Sequence, residues 1–310
     1  MKASVLIIAL LSAQISVAQI TPIYTIQGSG SASSLTGTTV ITLGVVTASF
    51  QSASKLDGFF IQDTLGDSDS LTSDGIFVYA PSSISVSPGD FVVVRGDVEE
   101  VFGLTRLSNV DSLGILMSNV SYSPVDINLP VAVVDDLEAF EGMYVRFPQT
   151  LIVSDHYNLG RYGEVVLSSG SLLPIPSNLV DPNDDPADGN TFSGSTNVAA
   201  VSALADFNTR NQILIDDGSE LQNPNPIPYI NQADSTLRAG TTADSVSGCL
   251  SYAYGKYRLQ PYPDPMFNYA SRPSVPALGG ANIVVSSFNV LNYWTTLGER
   301  GATTIAELIR

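Results

Sequence analysis

The chain of 310 residues is poor in three things: cysteine, histidine and positive charge. One cysteine, Cys249, excludes any disulfide within the chain, even in a compartment that would permit one. Cys249 stands in a β-like run between Val246 and Leu250, which suits a buried structural thiol better than a nucleophile. Thirteen basic residues face thirty acidic ones, a net charge of −17. Such a balance repels phosphate backbones at long range and disfavours a plain electrostatic nucleic-acid binder. It suits solubility in a salty or divalent-rich exterior. Long apolar runs are also missing, so no segment after the amino terminus is fitted to span a bilayer.

The amino terminus has the grammar of export. Lys2 precedes the apolar run Ala3 to Leu11 and a milder stretch to Val17, and Ser16-Val17-Ala18 precedes Gln19. A basic start, an apolar core and a small-x-small site predict a signal peptide over 1–18. A buried first strand or helix would leave both the basic start and the cleavage pattern unexplained. Hydrophobic content of 44% then predicts folded domains, two or three for this length.

Turn-bounded β runs follow: Val40–Val46, Gly58–Gln62, Gly75–Tyr79 and Phe91–Gly96, separated by clusters such as Pro88-Gly89-Asp90. Short, β-branched and aromatic, without a helical period, they predict a small barrel or sandwich. A second block repeats the first. Phe60-Ile61-Gln62-Asp63 resembles Ile213-Leu214-Ile215-Asp216 at an offset of 153, taken as 216 minus 63. Val94-x-Gly96 matches Val246-x-Gly248, and Gly103–Leu107 matches Gly255–Leu259, both 152 positions on. The near-constant offset predicts a tandem duplication. The modules are expected at 21–122 and 136–266, joined by a linker over 123–135, with an acidic, polar insertion at 181–208. A Pro/Gly stretch over 267–281 separates them from 282–310.

After that linker, Ile283–Asn292 reads as a buried strand ending in polar residues, and Ala302–Arg310 as a helix start. The helix has neither cap nor stop signal, so a truncated sequence is expected. Ser287-Phe288-Asn289-Val290-Leu291-Asn292-Tyr293 resembles the first strand of the endonuclease/exonuclease/phosphatase superfamily. The stretches Gly58–Asp63, Ser73–Val78, Tyr157–Glu164 and Tyr257–Pro261 are similar to large extracellular nucleases of Gram-negative bacteria. Those carry oligonucleotide-binding-like (OB-like) modules ahead of the nuclease domain. The resemblance implies a mainly β chain: two OB-like barrels, then the opening of an α/β sandwich. It further implies secretion and hydrolysis of extracellular DNA or RNA with Mg²⁺ or Mn²⁺. Asn289 then helps hold the metal and the scissile phosphate; otherwise it caps a turn. The family's metal-binding Glu, Asp/Asn pair and catalytic His would lie beyond Arg310, so residues 1–310 are expected to be inactive without the rest of that catalytic domain. The only histidine, His156, follows Ser154-Asp155 as in the family's last catalytic strand, but it precedes the first strand and so stands in the wrong order.

Two acidic loops have the composition of Ca²⁺ sites: Asp63, Asp67, Asp69 and Asp74, and Asp181, Asp184, Asp185 and Asp188. Clustered carboxylates beside glycines suit a cation that takes six to eight oxygens, though neither loop matches the twelve-residue helix-loop-helix pattern. Solvated turns are the alternative. Tyr157, Tyr162, Tyr252, Tyr254 and Tyr257, with Arg161, Lys256 and Arg258 among them, have the composition of a single-strand stacking platform. Tyrosines that simply pack are the competing reading. Two other functions remain open: a non-catalytic surface protein of β modules that adheres or binds carbohydrate, and a phosphatase- or sphingomyelinase-type enzyme of the same superfamily.

Overall fold

Phe59-Phe60-Ile61 and Ile76-Phe77-Val78 are continuous apolar runs where a half-exposed strand would alternate, and what covers them explains why. In the computed structural model, which describes residues 19–81, 83–180, 184–185, 190–191 and 197–272 with four isolated positions beyond, the chain opens with a short helix α1 (Ile23–Gln27). Five strands follow: β1 (Thr39–Phe50), β2 (Gly58–Gln62), β3 (Gly75–Tyr79), β4 (Phe91–Val101) and β5 (Leu104–Met117). They close into a barrel in the order β1-β2-β3-β5-β4, all antiparallel except β3 against β5. This five-stranded Greek-key closure is the OB-like arrangement. Its core holds Val40, Val46, Phe59, Ile61, Ile76, Val78, Val94 and Leu107, plugged at one end by Ile23 and Ile26 of α1.

The second barrel repeats the plan. After β6 (Val125–Asp126) and a 3-10 turn (Val134–Phe140) come β7 (Tyr144–Asp155), a helical turn α2 (Leu159–Tyr162) and β8 (Val165–Ser169). Then follow α3 (Pro176–Leu179), the strand pair β9 (Asp184–Asp185) and β10 (Asn190–Thr191), and α4 (Val198–Arg210). β11 (Gln212–Ile215), β12 (Thr242–Ala253), β13 (Lys256–Pro261) and β14 (Phe267–Asn268) complete the module. β7, β8, β11, β13 and β12 pair in that order, and β12 returns to β7. β11 runs parallel to β13, as β3 does to β5.

The registers fix which residues correspond. Phe77 and Val78 pair with Arg106 and Leu107, as Leu214 and Ile215 pair with Arg258 and Leu259. Gly96 opposes Val40, and Gly248 opposes Val145. Both glycines sit where a Cβ would run into a backbone carbonyl of the neighbouring strand, that of Ser108 or of Gln260. The two repeats at an offset of 152 are therefore equivalent in space. The third is not: Asp63 follows β2, whereas Asp216 follows β11, the counterpart of β3, and occupies the place of Tyr79. The offset is about 105 before the β8–β11 connection and 152 after β11, because the second barrel carries the insertion there and a longer β11–β12 loop. Matching by a single offset aligns the wrong strands.

The two barrels dock through one face. Phe60 and Phe77 point out of the first barrel and are buried with Ala48 and Phe50 against Cys249, Tyr144 and Tyr262 of the second. Phe60 and Phe77 lie 4.8 Å apart and Phe50 meets Tyr262 edge-on at 6.4 Å. β2 and β3 thus bury both faces, which is why they read as continuous apolar runs. Polar bonds align the seam: Tyr144 N donates to Gln62 Oε1 at 2.9 Å, Ser73 Oγ to the Glu141 carbonyl at 2.5 Å, and Gln27 Nε2 to the Gly75 carbonyl at 2.6 Å. Gly75 and Gly142 meet backbone to backbone, and Gly142 has φ +77°. A Cβ at position 142 would lie 2.6 Å from Gly75 while forcing a conformation that L residues rarely adopt. Gly142→Ala is expected to destabilise the protein by about 2–4 kcal/mol, measured by urea unfolding. A change under about 0.5 kcal/mol would mean that the seam does not constrain the fold.

Candidate functional site

Outward positions on β8 and β11 of the second barrel correspond to Phe60 and Phe77, but they are Val166 and Leu214, and among the described residues no barrel docks on them. They line a cleft of about 820 Å³. Val166, Gln212 and Leu214 form its floor. The 3-10 turn supplies one wall with Val134, Asp135, Leu137 and Glu138; the β12–β13 hairpin supplies the other with Tyr252, Gly255, Lys256 and Tyr257. Ser29–Ser31 and Gly103 of the first barrel complete the rim. Next in the chain to the lining residues Gly103 and Gly255, Phe102 and Tyr254 stack, ring centroids 5.5 Å apart and 22° from parallel.

The cleft is acidic, and the acidity continues beneath it. Tyr257 donates its hydroxyl to Glu138 Oε2 at 2.7 Å, and burial pushes the Glu138 carboxyl above its ordinary range. Behind it Glu141, 1% exposed, is pushed up to about 9, first by burial and then by the charge of Glu138. Its Oε1 accepts the Thr105 amide at 2.9 Å, while Glu100 Oε1 accepts the Thr105 hydroxyl. The Oε2 atoms of Glu141 and Glu100 have no hydrogen-bond partner among the described residues. At neutral pH the Glu141 carboxyl carries its proton.

The residues singled out for stacking and phosphate binding fall on two loops. Tyr252, Lys256 and Tyr257 reach the cleft. Tyr157, Arg161 and Tyr162 belong to the β7–β8 connection and do not line it. Tyr157 is 92% exposed, and Arg161 lies over the Tyr162 ring at 5.1 Å with its guanidinium on Gln222. Arg258 is not on the surface. It is 5% exposed, bonds Asp216 at 2.7 Å and Glu164 at 2.8 Å, and lies under the Tyr254 ring. Its equivalent in the first barrel, Arg106, lies over Tyr79 and pairs with Glu99. The Arg258 guanidinium ties the β7–β8 loop to β11, so it is a structural cation rather than a phosphate contact. No local sequence signal points to its two acidic partners, which are 94 and 42 positions away.

The acidic loop at Asp63–Asp74 is organised by turns. Asp63 Oδ1 accepts the Leu65 amide, Asp67 Oδ1 that of Asp69, and Asp69 Oδ1 that of Leu71. Burial, with the charges of Asp67 and Asp63, raises Asp74 to about 6. Among the described residues no three acidic, histidine or cysteine side chains gather as a metal site would need. Asp181 and Asp188 lie outside the described residues, and Asp184 and Asp185 are placed only as the strand β9. His156 precedes α2, and its carbonyl accepts the Leu159 amide. Cys249 is buried between the barrels beside Thr47 Oγ1 at 3.4 Å, and burial pushes its thiol up to about 12. Asn289 lies outside the described residues, as do 1–18. Among the described residues no helix is long and apolar enough to cross a membrane.

Residues 131–268 match a domain of unknown function, DUF8508, a segment that contains the second barrel from β7 to β14. No curated protein matches the chain. Matching solved structures include the hypothetical protein ygiW from E. coli, 18% identical over 26% of this chain and 77% of its own, with a TM-score of 0.20.

Two substitutions separate the roles of the buried charges. Glu141 has a folded pKa above its unfolded one, so its contribution to stability is full below about pH 4.5 and is lost as pH rises through about 9. Glu141→Gln keeps the acceptor for Thr105 and removes the titration. It is expected to raise the melting temperature at pH 8 by several degrees and to flatten its pH dependence. Arg258→Ala leaves Asp216 and Glu164 buried without their cation and is expected to cost about 3–5 kcal/mol. Calorimetry across pH 5–9 checks both; an unaltered pH profile in Glu141→Gln would refute the assignment.

Proposed function

We propose that the two barrels are the rigid, non-catalytic binding unit of a secreted, metal-dependent nuclease, with the cleft of the second barrel as the ligand site. The observation that carries the binding role is the unequal use of the duplicated face. The first barrel spends it on docking through Phe60 and Phe77, and the second leaves it open above Val166 and Leu214. OB-like barrels take oligonucleotides and oligosaccharides on this face and on the two loops beside it.

The catalytic half of the reading rests on the sequence. Ser287–Tyr293 resembles the first strand of the endonuclease/exonuclease/phosphatase superfamily, and Lys2–Ala18 has the pattern of a secretion signal. In that reading Asn289 would offer a neutral polar group toward Mg²⁺ or Mn²⁺ and the phosphodiester of extracellular DNA or RNA, and the cation would supply the charge that neutralises the phosphate. The barrels hold the enzyme where its substrate lies.

The test is Asn289→Ala in the full-length protein. A contact made mainly in the transition state lowers kcat by about tenfold to a thousandfold while the melting temperature stays put. A turn-capping role gives the reverse: a lower melting temperature with normal turnover. Unchanged kcat on plasmid DNA and on RNA would end the catalytic assignment and leave the binding unit standing.

A further inference from the structure

We propose that the cleft takes a short, neutral oligosaccharide and not a strand of nucleic acid. The inference rests on the reading of the barrels as a binding unit, and it names the ligand class.

Charge decides against the phosphodiester. Among the described residues that line the cleft, Lys256 is the one cation, against Asp135 and Glu138. Behind Glu138 the charge of Glu100 adds to the acidity; both raise the proton affinity of Glu141, which is neutral at pH 7 and adds no charge of its own. A phosphate chain would need cations to replace its counterions, and Arg258, on the same strand as Lys256, is already held by Asp216 and Glu164. A neutral polyol meets no such barrier. Carboxylates and amides are good acceptors for hydroxyl donors, and Glu138, Asp135 and Gln212 stand on the floor and one wall.

Aromatic placement fits the same ligand. Tyr252 and Tyr257 pack edge to face on one wall, centroids 4.8 Å apart. Phe102 and Tyr254, 70% and 75% exposed, present a stacked pair directly beside the lining residues Gly103 and Gly255 in the chain. Large aromatic surface left in water next to a polar cleft marks a place where something apolar on one side comes to rest. A pyranose ring has such a side in its C–H face, while its hydroxyls point outward at its edge. The cleft, at about 820 Å³, lies within the range that encloses most of a small ligand.

The experiment is calorimetric titration of the whole chain with three probes: a chitin-type hexasaccharide, a β-glucan hexasaccharide and a thymidylate oligonucleotide. Saturable binding of at least one sugar, insensitive to added salt, is expected. The paired substitution of Phe102→Ala and Tyr254→Ala, both on exposed side chains, is expected to weaken it about tenfold. Glu138→Gln should also weaken it. Saturable, salt-sensitive binding of the oligonucleotide that disappears in Lys256→Ala would overturn the sugar assignment yet keep the binding unit. Silence from all three probes would overturn both. Sugar binding untouched by either the aromatic pair or Glu138→Gln would place the ligand elsewhere and overturn the assignment of the cleft.

Discussion

The contact on which the rest of the structure depends is the outer face of β2 and β3 against β7 and β12 of the second barrel. A barrel of five strands can bury only its inside, and these sequences have more apolar side chains than an inside needs. Phe60 and Phe77 are the surplus, and a second copy of the same fold covers them. The closeness of the seam sets the backbone as well. Gly75 and Gly142 touch where any side chain would hold the barrels apart. Gln62, Ser73 and Gln27 then satisfy amides and carbonyls that the docking removes from water.

Docking also shapes the cleft. The same arrangement that covers the first barrel's face brings its β4–β5 hairpin tip, Phe102–Gly103, onto Tyr252 and Tyr254. The rim of the cleft therefore belongs to both barrels. Glu100 of the first barrel and Glu141 of the second converge on the main chain and side chain of Thr105. The pair of carboxyl groups beneath the cleft is thus assembled by the junction.

Much of the fold is legible in the sequence, and the reasons are local. Phe59-Phe60-Ile61 and Ile76-Phe77-Val78 announce strands whatever surrounds them, and the glycines at 96 and 248 mark a close approach that both barrels require. What the sequence hides depends on non-local facts. The match of Asp63 with Asp216 compares composition without pairing, and only the ladders show that the two follow different strands. Most of the helix α4 falls in a segment that reads as a polar insertion, although Ala199, Ala200, Ala203 and Ala205 favour helix. Arg258 reads as a surface cation because its partners are far away in the chain. Of the cleft, the hairpin residues Tyr252, Lys256 and Tyr257 stand out in the sequence; Glu138, Gln212 and Leu214 do not, since nothing in their own neighbourhood sets them apart.

Cys249 gives the seam a further meaning. It is the single thiol of the chain, it sits within the docked face, and burial holds it protonated far above neutral pH. A thiol in that position is silent while the barrels are together and becomes an ordinary nucleophile as soon as they part. The rate at which a maleimide or disulfide reagent consumes it is consequently a clock for separation of the barrels. Oxidation of this sulfur would need the same parting, and an oxygen added there would by its bulk and polarity oppose closing the barrels until it was reduced.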